Sequence, residues 1–333
     1  MSRSLIVISS KAGQLGNRLF NFTNFIAFAA AHRATVINPS FDEYAELFES
    51  TRCNLLCRYP AKRLFPAWLC SPRVRSAFYR VMALLARVIK KSGGLGRLAR
   101  VVSVSDDTFY LLDDNPRAID VFQESKVVFV SGLQFRDISN IKKYSDEIRA
   151  YFTPARLYVD NIDALTRPIR NRCDVLIGVH IRRGDYASHL HGRYCFEIED
   201  YLRVIEDAKS LFPGKKVAFL ICSNEKLHRG LFGEMDCTFG TGHFLEDMYA
   251  LARCDYIVGP PSTYSLWASF YGQALLCFLQ TRDAKLVLTD FVDYFAQVAE
   301  KKVLQEINGD QYVLINGAKY GLVFRTQKSH LAL

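Results

Sequence analysis

Two adjacent arginines at the end of an apolar run are the residues of this chain best suited to hold an anionic ligand. Residues 175–179 form a continuous apolar run that predicts a buried strand. Arg182 and Arg183 follow it, and the next three residues, Gly-Asp-Tyr, predict a turn. Ligands of α/β sheets bind at the carboxyl ends of strands. Two guanidiniums of fixed charge there favour a phosphate or diphosphate. On these residues alone, a structural arginine pair bonded to Asp185 is an equally good interpretation.

A glycine-containing loop near the start of the chain is a second candidate. Gly13 and Gly16 lie between an apolar run at residues 5–9 and a helical pattern that begins at Asn17. Glycines let backbone N–H groups approach a ligand closely, and a helix N-terminus favours anions. The same residues suit an ordinary strand-to-helix turn in which Asn17 lies near the N-cap. From the residues alone, the ordinary turn is the favoured interpretation.

An acid and two hydroxyls form the third candidate. Asp247 opens a helical stretch, where its carboxylate could accept hydrogen bonds from the N1–H and N2–H₂ groups of a guanine. Ser262 and Thr263 follow an apolar run at residues 256–259 and precede a helical pattern. Hydroxyls and free N–H groups at a helix start can hold a phosphate oxygen. The alternatives are simple N-capping by Ser262 and ordinary first-turn placement of Asp247.

The elements that must position these residues follow an alternating order. Apolar, strand-like runs lie at residues 5–9, 127–130, 175–181, 217–222 and 256–259, and helical patterns separate most of them. Such alternation predicts an α/β fold with parallel sheets that helices cover on both faces. A length of 333 residues favours two domains or one large α/β unit.

Other segments predict less regular features. We interpret residues 158–172 as a connecting segment. Residues 312–324 predict a terminal hairpin around Asn316-Gly317.

Positive charge is concentrated in one segment of the chain. The formal net charge is +9, yet residues 51–100 carry twelve Lys and Arg and no Asp or Glu. The remaining residues carry 31 basic and 34 acidic side chains. Because the charge is regional and far in sequence from the arginine pair, we expect no nucleic-acid partner.

A helical pattern at residues 73–91 lies within this basic segment. Arg73, Arg80, Arg87 and Lys91 recur at steps of seven, seven and four, which places them on one stripe beside an apolar stripe. One interpretation is an amphipathic helix packed on the domain. The other is a helix that lies on an anionic membrane surface.

The cysteines and the hydropathy suggest a compartment. The nine cysteines are odd in number, scattered, and free of any Cys-x-x-Cys pair. This pattern favours a reducing compartment over a disulfide scaffold. Residues 5–8 are too short for the apolar core of a signal peptide, and no stretch reaches transmembrane length. We therefore expect a cytoplasmic protein. Peripheral contact at the inner face of the membrane would follow from the second interpretation of residues 73–91.

Four segments together resemble a known family. Residues 180–185, His-Ile-Arg-Arg-Gly-Asp, resemble the His-x-Arg-Arg-x-Asp motif of the α-1,2 and α-1,6 fucosyltransferase superfamily. Residues 13–20 resemble the Gly-x-Leu-Gly-Asn-x-x-Phe segment of the bacterial α-1,2-fucosyltransferases of glycosyltransferase family 11. Residues 221–225 and 247–267 are similar to its strand-end segment and its last motif, and all four occur in family order.

The resemblance implies a fold and a division of the chain. The fold is GT-B: α/β, with two Rossmann-like parallel-sheet domains facing across a cleft. Residues 1–155 would form an acceptor-side domain with a basic insertion at 51–100. Residues 156–333 would form the nucleotide-sugar domain with the terminal hairpin.

The resemblance also implies an activity. An inverting glycosyltransferase would move fucose from GDP-fucose to a hydroxyl of a glycan acceptor, which could be lipid-linked. It would form an α-1,2 linkage in surface polysaccharide or lipopolysaccharide synthesis, with no metal and no cofactor beyond the donor. The alternatives are a transferase for another nucleotide sugar on the same fold, and a non-catalytic glycan- or nucleotide-binding relative.

The family's residue functions can be carried over by position. The resemblance implies that Arg182 and Arg183 bind the diphosphate and that Ser262 and Thr263 bind phosphate oxygens. It implies that Asp247 binds the guanine and that His180 supports the nucleotide. The fucose and its leaving oxygen would be contacted by Gly13, Gly16 and Asn17. Asp185 completes the arginine motif and is counted with the catalytic residues. The chain departs from the family pattern at Arg18, where a Gln is usual, and at the Pro260-Pro261 turn. Residues 186–194 contain no carboxylate, so no general base is named.

Overall fold

The structure consists of two compact α/β units. It is a computed structural model, and it describes residues 4–104, 110–113, 116–187 and 192–299, together with strands at 304–307, 310–315 and 318–324. The first unit comprises Met1–Ala155 and Val298–Leu333, and the second comprises Arg156–Gln297. Each contains a parallel sheet, as the alternation of patterns predicts.

The first unit is organised around a four-stranded parallel sheet in the order β2-β1-β5-β3. Its elements in chain order are β1 Leu5–Ile8, α1 Leu15–His32, β2 Thr35–Ile37, α2 Glu49–Arg52, α3 Pro72–Lys91, β3 Ala99–Ser103, β4 Tyr110–Leu111, α4 Pro116–Glu124, β5 Val127–Ser131, β6 Phe135–Arg136, α5 Ile138–Lys143 and α6 Ser145–Tyr151. The short strands β4 and β6 pair with each other. The strand β1 lies inside the sheet, and three of its four residues are buried, which explains its continuous apolar sequence.

The second unit contains a five-stranded parallel sheet in the order β11-β10-β7-β8-β9. Its elements are α7 Arg156–Arg170, β7 Val175–Ile181, α8 Ile198–Ser210, β8 Val217–Ser223, β9 Cys237–Phe239, α9 Phe244–Leu251, β10 Tyr256–Gly259, α10 Thr263–Gly272, β11 Leu275–Phe278 and α11 Tyr294–Ala299, of which α11 extends past Gln297. The predicted strands at 175–181 and 256–259 are confirmed. Both lie inside the sheet, where buried parallel strands are apolar throughout.

One predicted connection is a helix. Most of the segment that we interpreted as a connection, residues 158–172, is the helix α7, whose residues Ile162, Thr166 and Ile169 are buried. Its proline, Pro168, lies in the last turn, where it does not prevent the preceding turns from forming.

Three further strands follow the second unit in sequence. They are β12 Leu304–Ile307, β13 Asp310–Ile315 and β14 Ala318–Phe324, and they form an antiparallel sheet. Ile315 pairs with Ala318, in the register that a two-residue hairpin turn requires. The Asn316-Gly317 turn itself lies outside the described residues.

The helix α3 packs on the sheet of the first unit. Ala86 and Ile89 contact Val7, Ile37 and Phe129 in one apolar cluster. This helix therefore contributes to the core of the unit, although it comes from the most basic part of the chain. No helix among the described residues is both long enough and apolar enough to span a membrane. All nine cysteines are free thiols.

A buried arginine fixes α3 to the preceding loops. The guanidinium of Arg75 donates to the carbonyl oxygens of Thr51 at 3.0 Å, Arg52 at 2.8 Å, Asn54 at 2.8 Å and Cys70 at 2.7 Å. Arg75 is almost fully buried. Because a buried charge is tolerated only when hydrogen bonds replace its water, these four carbonyls make the position specific for arginine.

Replacing Arg75 with methionine keeps most of the side-chain volume and leaves the four carbonyls without their donor. We expect Arg75→Met to lower the free energy of unfolding by about 3 kcal/mol or more, since each unsatisfied buried group costs about 1–3 kcal/mol. Urea denaturation measures this change. The matched control is Arg80→Met on the exposed side of the same helix, which should stay within about 0.5 kcal/mol of the wild type. Equal effects of the two substitutions on the free energy of unfolding would show that the carbonyl contacts of Arg75 do not stabilise the fold.

Candidate active site

The order of the strands identifies where a ligand would bind in the second unit. The chain proceeds from β7 to β8 and β9 on one side, then returns to β10 and β11 on the other. Ligands of open α/β sheets bind at the carboxyl ends of the two strands where this reversal occurs. Those strands are β7 and β10. We call residues 182–187, which follow β7, together with residues 260–263, which follow β10, the strand-end site.

Close backbone contact joins the two strands at this end. A Cβ atom on Gly259, the last residue of β10, would lie 2.5 Å from the carbonyl oxygen of His180 and 2.9 Å from its Cβ. Only glycine fits such an approach without displacing backbone. Gly259 therefore sets the distance between the residues that leave β7 and those that leave β10.

His180, near the end of β7, packs next to the strand-end site. Its imidazole is buried and stacks on the ring of Tyr264, with centroids 4.9 Å apart. Tyr264 belongs to the first turn of α10, and its hydroxyl donates to the carbonyl oxygen of Phe244 at 2.7 Å. Burial raises the pKa of Tyr264, which keeps this phenol protonated as a donor. His180 thus supports the site by packing β7 against α10, and a direct contact with a nucleotide stays a prediction.

Arg182 lies against an aromatic ring that the sequence analysis did not single out. The guanidinium carbon of Arg182 is 4.9 Å from the ring centroid of Tyr186. The hydroxyl of Tyr186 donates to the carbonyl oxygen of Pro261 at 2.7 Å. Tyr186 is only 7% exposed, so its ring is held by packing as well. One side chain therefore orients the arginine after β7 and ties it to the turn after β10.

Arg183 has different surroundings. Its Nη2 donates to Glu197 Oε2 at 2.9 Å, and its Nε lies 3.9 Å from Glu225 Oε2. Its backbone N–H donates to the side-chain oxygen of Asn224 at 3.2 Å. Two carboxylates therefore already offset the charge of Arg183, and its function as a phosphate ligand stays a prediction. The backbone of Asp185 lies in the short turn Gly184–Ala187, and its side chain is outside the part of the structure that is described.

The start of α10 provides the second half of the strand-end site. Ser262 is the N-cap, and its hydroxyl oxygen accepts the N–H of Tyr264 at 3.2 Å. The capping interpretation of Ser262 is thereby confirmed, and its O–H can still donate to a ligand. Thr263 follows as an exposed first residue of the helix. N–H groups of a first helical turn and the positive end of the helix dipole favour an anion here.

Asp247 holds a loop. Its Oδ1 accepts the N–H of Thr241 at 2.7 Å, and the N–H of Gly242 lies 3.3 Å from both carboxylate oxygens. A Cβ on Gly240 would lie 2.3 Å from Oδ1, so the loop after β9 needs glycine there. Burial raises the pKa of Asp247, and the hydrogen bonds from Thr241 and Gly242 act in the opposite direction. Much of the acceptor capacity of this carboxylate is used inside the protein, and guanine binding by Asp247 stays a prediction.

The glycine loop belongs to the first unit. The helix α1 begins at Leu15, two residues before the predicted start, so Gly16 and Asn17 lie in its first turn and not in the loop. Gly13 has a φ of +65°, a left-handed conformation that glycine adopts at no steric cost. A Cβ on Gly13 would lie 2.3 Å from Asn17 Nδ2, which shows how closely the Asn17 side chain follows the loop.

The family departure at Arg18 has a structural reason. Its guanidinium donates to the carbonyl oxygens of Gly13 at 3.1 Å and Ser40 at 2.9 Å, and it forms an ion pair with Glu43 at 3.1 Å. Lys11 binds the same carboxylate at 2.8 Å. Burial alone would raise the pKa of Glu43, but these two cations lower it overall. Arg18 therefore fixes the glycine loop to the segment after β2.

The structure brings together the predicted residues of the second unit only in part. His180, Arg182, Arg183, Ser262 and Thr263 lie at or next to the strand-end site. Asp247 holds the loop after β9 and is close enough to Tyr264 to act on it electrostatically. The glycine-loop residues belong to the first unit. Within the described ranges, no cluster of three or more His, Cys, Asp or Glu side chains is arranged to hold a metal ion.

The fold resembles that of solved fucosyltransferases. Fucosyltransferase NodZ from Bradyrhizobium has a TM-score of 0.50 at 16% identity over 85% of this chain and 98% of that chain. A mutant of Arabidopsis thaliana FUT1 in complex with GDP has a TM-score of 0.49 at 14% identity, over 84% and 72% of the two chains. POFUT1 in complex with GDP-fucose has a TM-score of 0.49 at 13% identity, over 84% and 99%. The likeness to NodZ confirms the GT-B type of fold.

The sequence identifies the family. The family model described as Glycosyl transferase family 11 matches residues 112–307, which is more than half of the chain. The protein therefore belongs to glycosyl transferase family 11. The segments at 180–185, 221–225 and 247–267 lie inside the matched region, and the segment at 13–20 precedes it. No curated protein matches the sequence.

The contact between β7 and β10 can be tested by adding one methyl group. We expect Gly259→Ala to lower the free energy of unfolding by about 1–3 kcal/mol, because overpacking against the His180 backbone forces the strands apart. Gly230→Ala is the matched control, since a Cβ there meets no atom within 4 Å. Chemical denaturation of both variants measures the difference. If both variants are equally stable, the close approach of β10 to the His180 backbone does not require glycine at position 259.

Proposed function

We propose that this protein is an inverting fucosyltransferase that uses GDP-fucose as its donor. The acceptor is a hydroxyl of a glycan, free or lipid-linked, and the product carries an α-1,2 linkage. The biological setting that we propose is the synthesis of a surface polysaccharide or lipopolysaccharide. Membership of glycosyl transferase family 11 and the four motif segments support this assignment.

One observation carries the proposal. At the strand-order reversal of the second unit, a guanidinium and a helix N-terminus converge from two different strands, and Tyr186 bridges them. Both groups favour negative charge. A nucleoside diphosphate is the ligand that this combination suits, since it presents anionic oxygens on two linked phosphorus atoms.

The chemistry follows from the charge that the reaction develops. The bond between the anomeric carbon of fucose and the β-phosphate oxygen breaks, and the acceptor hydroxyl oxygen bonds to the opposite face of that carbon. The proton of that hydroxyl is released to solvent. The diphosphate leaves with both electrons of the broken bond. Arg182, oriented before the reaction, stabilises this growing charge more in the transition state than in the ground state. Fixed positive groups of the protein take the place that a metal ion fills in other transferases, so we propose metal-independent transfer.

The other residues have supporting functions in this proposal. Thr263 and the Ser262 O–H hold phosphate oxygens at the start of α10. Arg183 supplies a second guanidinium for the diphosphate, and its ion pairs with Glu197 and Glu225 hold its side chain until the donor binds. Asn17 and Gly16 in the first turn of α1, together with Gly13, contact the fucose and its leaving oxygen in this proposal. Asp247 binds the guanine through the carboxylate acceptor positions that the loop after β9 does not use.

The identity of the donor can be tested with the purified protein. GDP should raise the melting temperature more than UDP or CDP, because ligands that bind only the folded state stabilise it. In the presence of glycan acceptors, GDP-fucose should be consumed faster than other nucleotide sugars. A larger shift with UDP would favour a transferase that uses another nucleotide sugar. No shift with any nucleotide would favour a non-catalytic binding protein.

Arg182→Ala should reduce turnover of GDP-fucose by about a hundredfold or more, as the loss of one preorganised donor typically does. The matched control is Arg172→Ala, which removes a partly exposed arginine at the opposite end of the same strand. Release of GDP from GDP-fucose, measured with acceptors present, distinguishes them. Near wild-type transfer by Arg182→Ala would refute the assigned function of this arginine.

The Tyr186 ring can be separated from its hydroxyl. If the ring orients Arg182, Tyr186→Leu should lose about 3- to 30-fold in turnover at saturating donor, the range expected for a lost cation–π contact. Tyr186→Phe keeps the ring, so it should restore turnover while the lost bond to Pro261 raises the KM for the donor.

A double variant distinguishes a positioning function of Tyr186 from a general loss of structure. If Tyr186 acts through Arg182, adding Tyr186→Leu to Arg182→Ala should cost no further turnover. Additive losses, or equal turnover of the Leu and Phe variants, would contradict a positioning function for this ring.

A further inference from the structure

The helix α3 has three distinct faces. The first faces the core: Arg75, Phe78, Met82, Ala86 and Ile89 recur at steps of three and four, and all are buried or pack on the cluster around Val7 and Phe129. Together with the four carbonyl contacts of Arg75, this face is sufficient to attach the helix to its unit. The remaining surface of α3 is therefore not required for packing within the chain.

The second face is apolar and exposed. Val81, Leu84, Leu85 and Val88 form one stripe, and they are 55%, 58%, 44% and 56% exposed. The sequence pattern alone did not distinguish this stripe from the one that faces the core. Four large aliphatic side chains in a contiguous exposed row are unusual on a surface that contacts only water, and such patches mark interaction sites.

The third face is basic and lies directly beside the second. Arg73, Arg80, Arg87 and Lys91 are all exposed. Leu84 is four residues from Arg80 and three from Arg87, which makes them neighbours on the helix surface. Within the described ranges, none of these four cations is paired with a carboxylate, and residues 51–105 contain no Asp or Glu at all.

A tryptophan lies just before this helix. Trp68 is 74% exposed in the turn Ala67–Cys70, and Leu64 and Phe65 are also exposed. Tryptophan favours the boundary between water and lipid because its ring is apolar and its N–H is polar.

We propose that α3 and the turn around Trp68 dock the first unit on the surface of an anionic lipid bilayer. The exposed aliphatic stripe enters the boundary between headgroups and acyl chains, and the adjacent cations contact lipid phosphates. A bilayer offers apolar and anionic layers side by side, which matches two parallel stripes on one helix. Nucleic acid would satisfy the cations but leave the aliphatic stripe in water. The inference does not depend on which sugar the enzyme transfers.

The test uses the full chain and two kinds of vesicle. Flotation should recover the protein with vesicles of phosphatidylcholine that contain about one third phosphatidylglycerol, and much less with phosphatidylcholine alone. Raising the salt from about 0.1 M to about 0.5 M should weaken the binding, since shorter screening lengths reduce surface attraction.

Two sets of substitutions separate charge from apolar contact. Glutamine at positions 73, 80, 87 and 91 should weaken binding by about two orders of magnitude or more, because each cation near an anionic surface contributes a factor of about five. Leu84→Ser with Val88→Ser should weaken it about tenfold or more. The charge-matched control replaces four exposed cations of the second unit, Arg167, Lys209, Lys215 and Lys216, with glutamine and should bind as the wild type does.

Fluorescence gives an independent readout. The chain has two tryptophans, and Trp267 is fully buried, so a blue shift on adding anionic vesicles reports Trp68. Trp68→Phe should abolish that shift. Equal binding to neutral vesicles, an equal loss in the control set, or self-association through α3 without vesicle binding would each overturn the proposal.

Discussion

The backbone contact between Gly259 and His180 is the constraint on which the strand-end site depends. It brings the end of β10 against β7 more closely than any side chain at position 259 would allow. This approach places Tyr264 over His180 and Pro261 within reach of Tyr186. Two segments that are far apart in sequence thereby act as one surface. Without it, an arginine and a helix start would remain two unrelated anion sites of ordinary strength.

The two adjacent arginines contact different side chains among the described residues. In sequence they are equivalent, and both could bind phosphate. In the structure, Glu197 and Glu225 lie against Arg183, while Arg182 rests on an aromatic ring. Ion pairs with half-exposed carboxylates are weak, so phosphate binding by Arg183 stays a prediction. The two arginines of the motif therefore have different packing neighbours, although their sequence positions are adjacent.

The parts of the structure that sequence could predict are those governed by local pattern. The strands β7 and β10 are continuous apolar runs, so their positions followed from burial, and the capping by Ser262 followed from its place before a helix. The bond from Tyr186 to Pro261 depends on β10 lying beside β7, and strand order is a tertiary property. The two apolar faces of α3 have similar residues, so only the packing distinguishes the one that contacts the core. The Arg18 contacts likewise join segments that no periodicity connects.

The Pro260-Pro261 turn has a consequence for how related chains can diverge. Proline has no N–H, so neither of these residues can donate a hydrogen bond to hold its own turn. The turn is instead held from outside, by a phenol that belongs to the loop after β7. A chain that replaces these prolines gains donors of its own and no longer needs that phenol. Positions 186 and 260–261 should therefore change together during evolution, although 73 residues separate them at their closest.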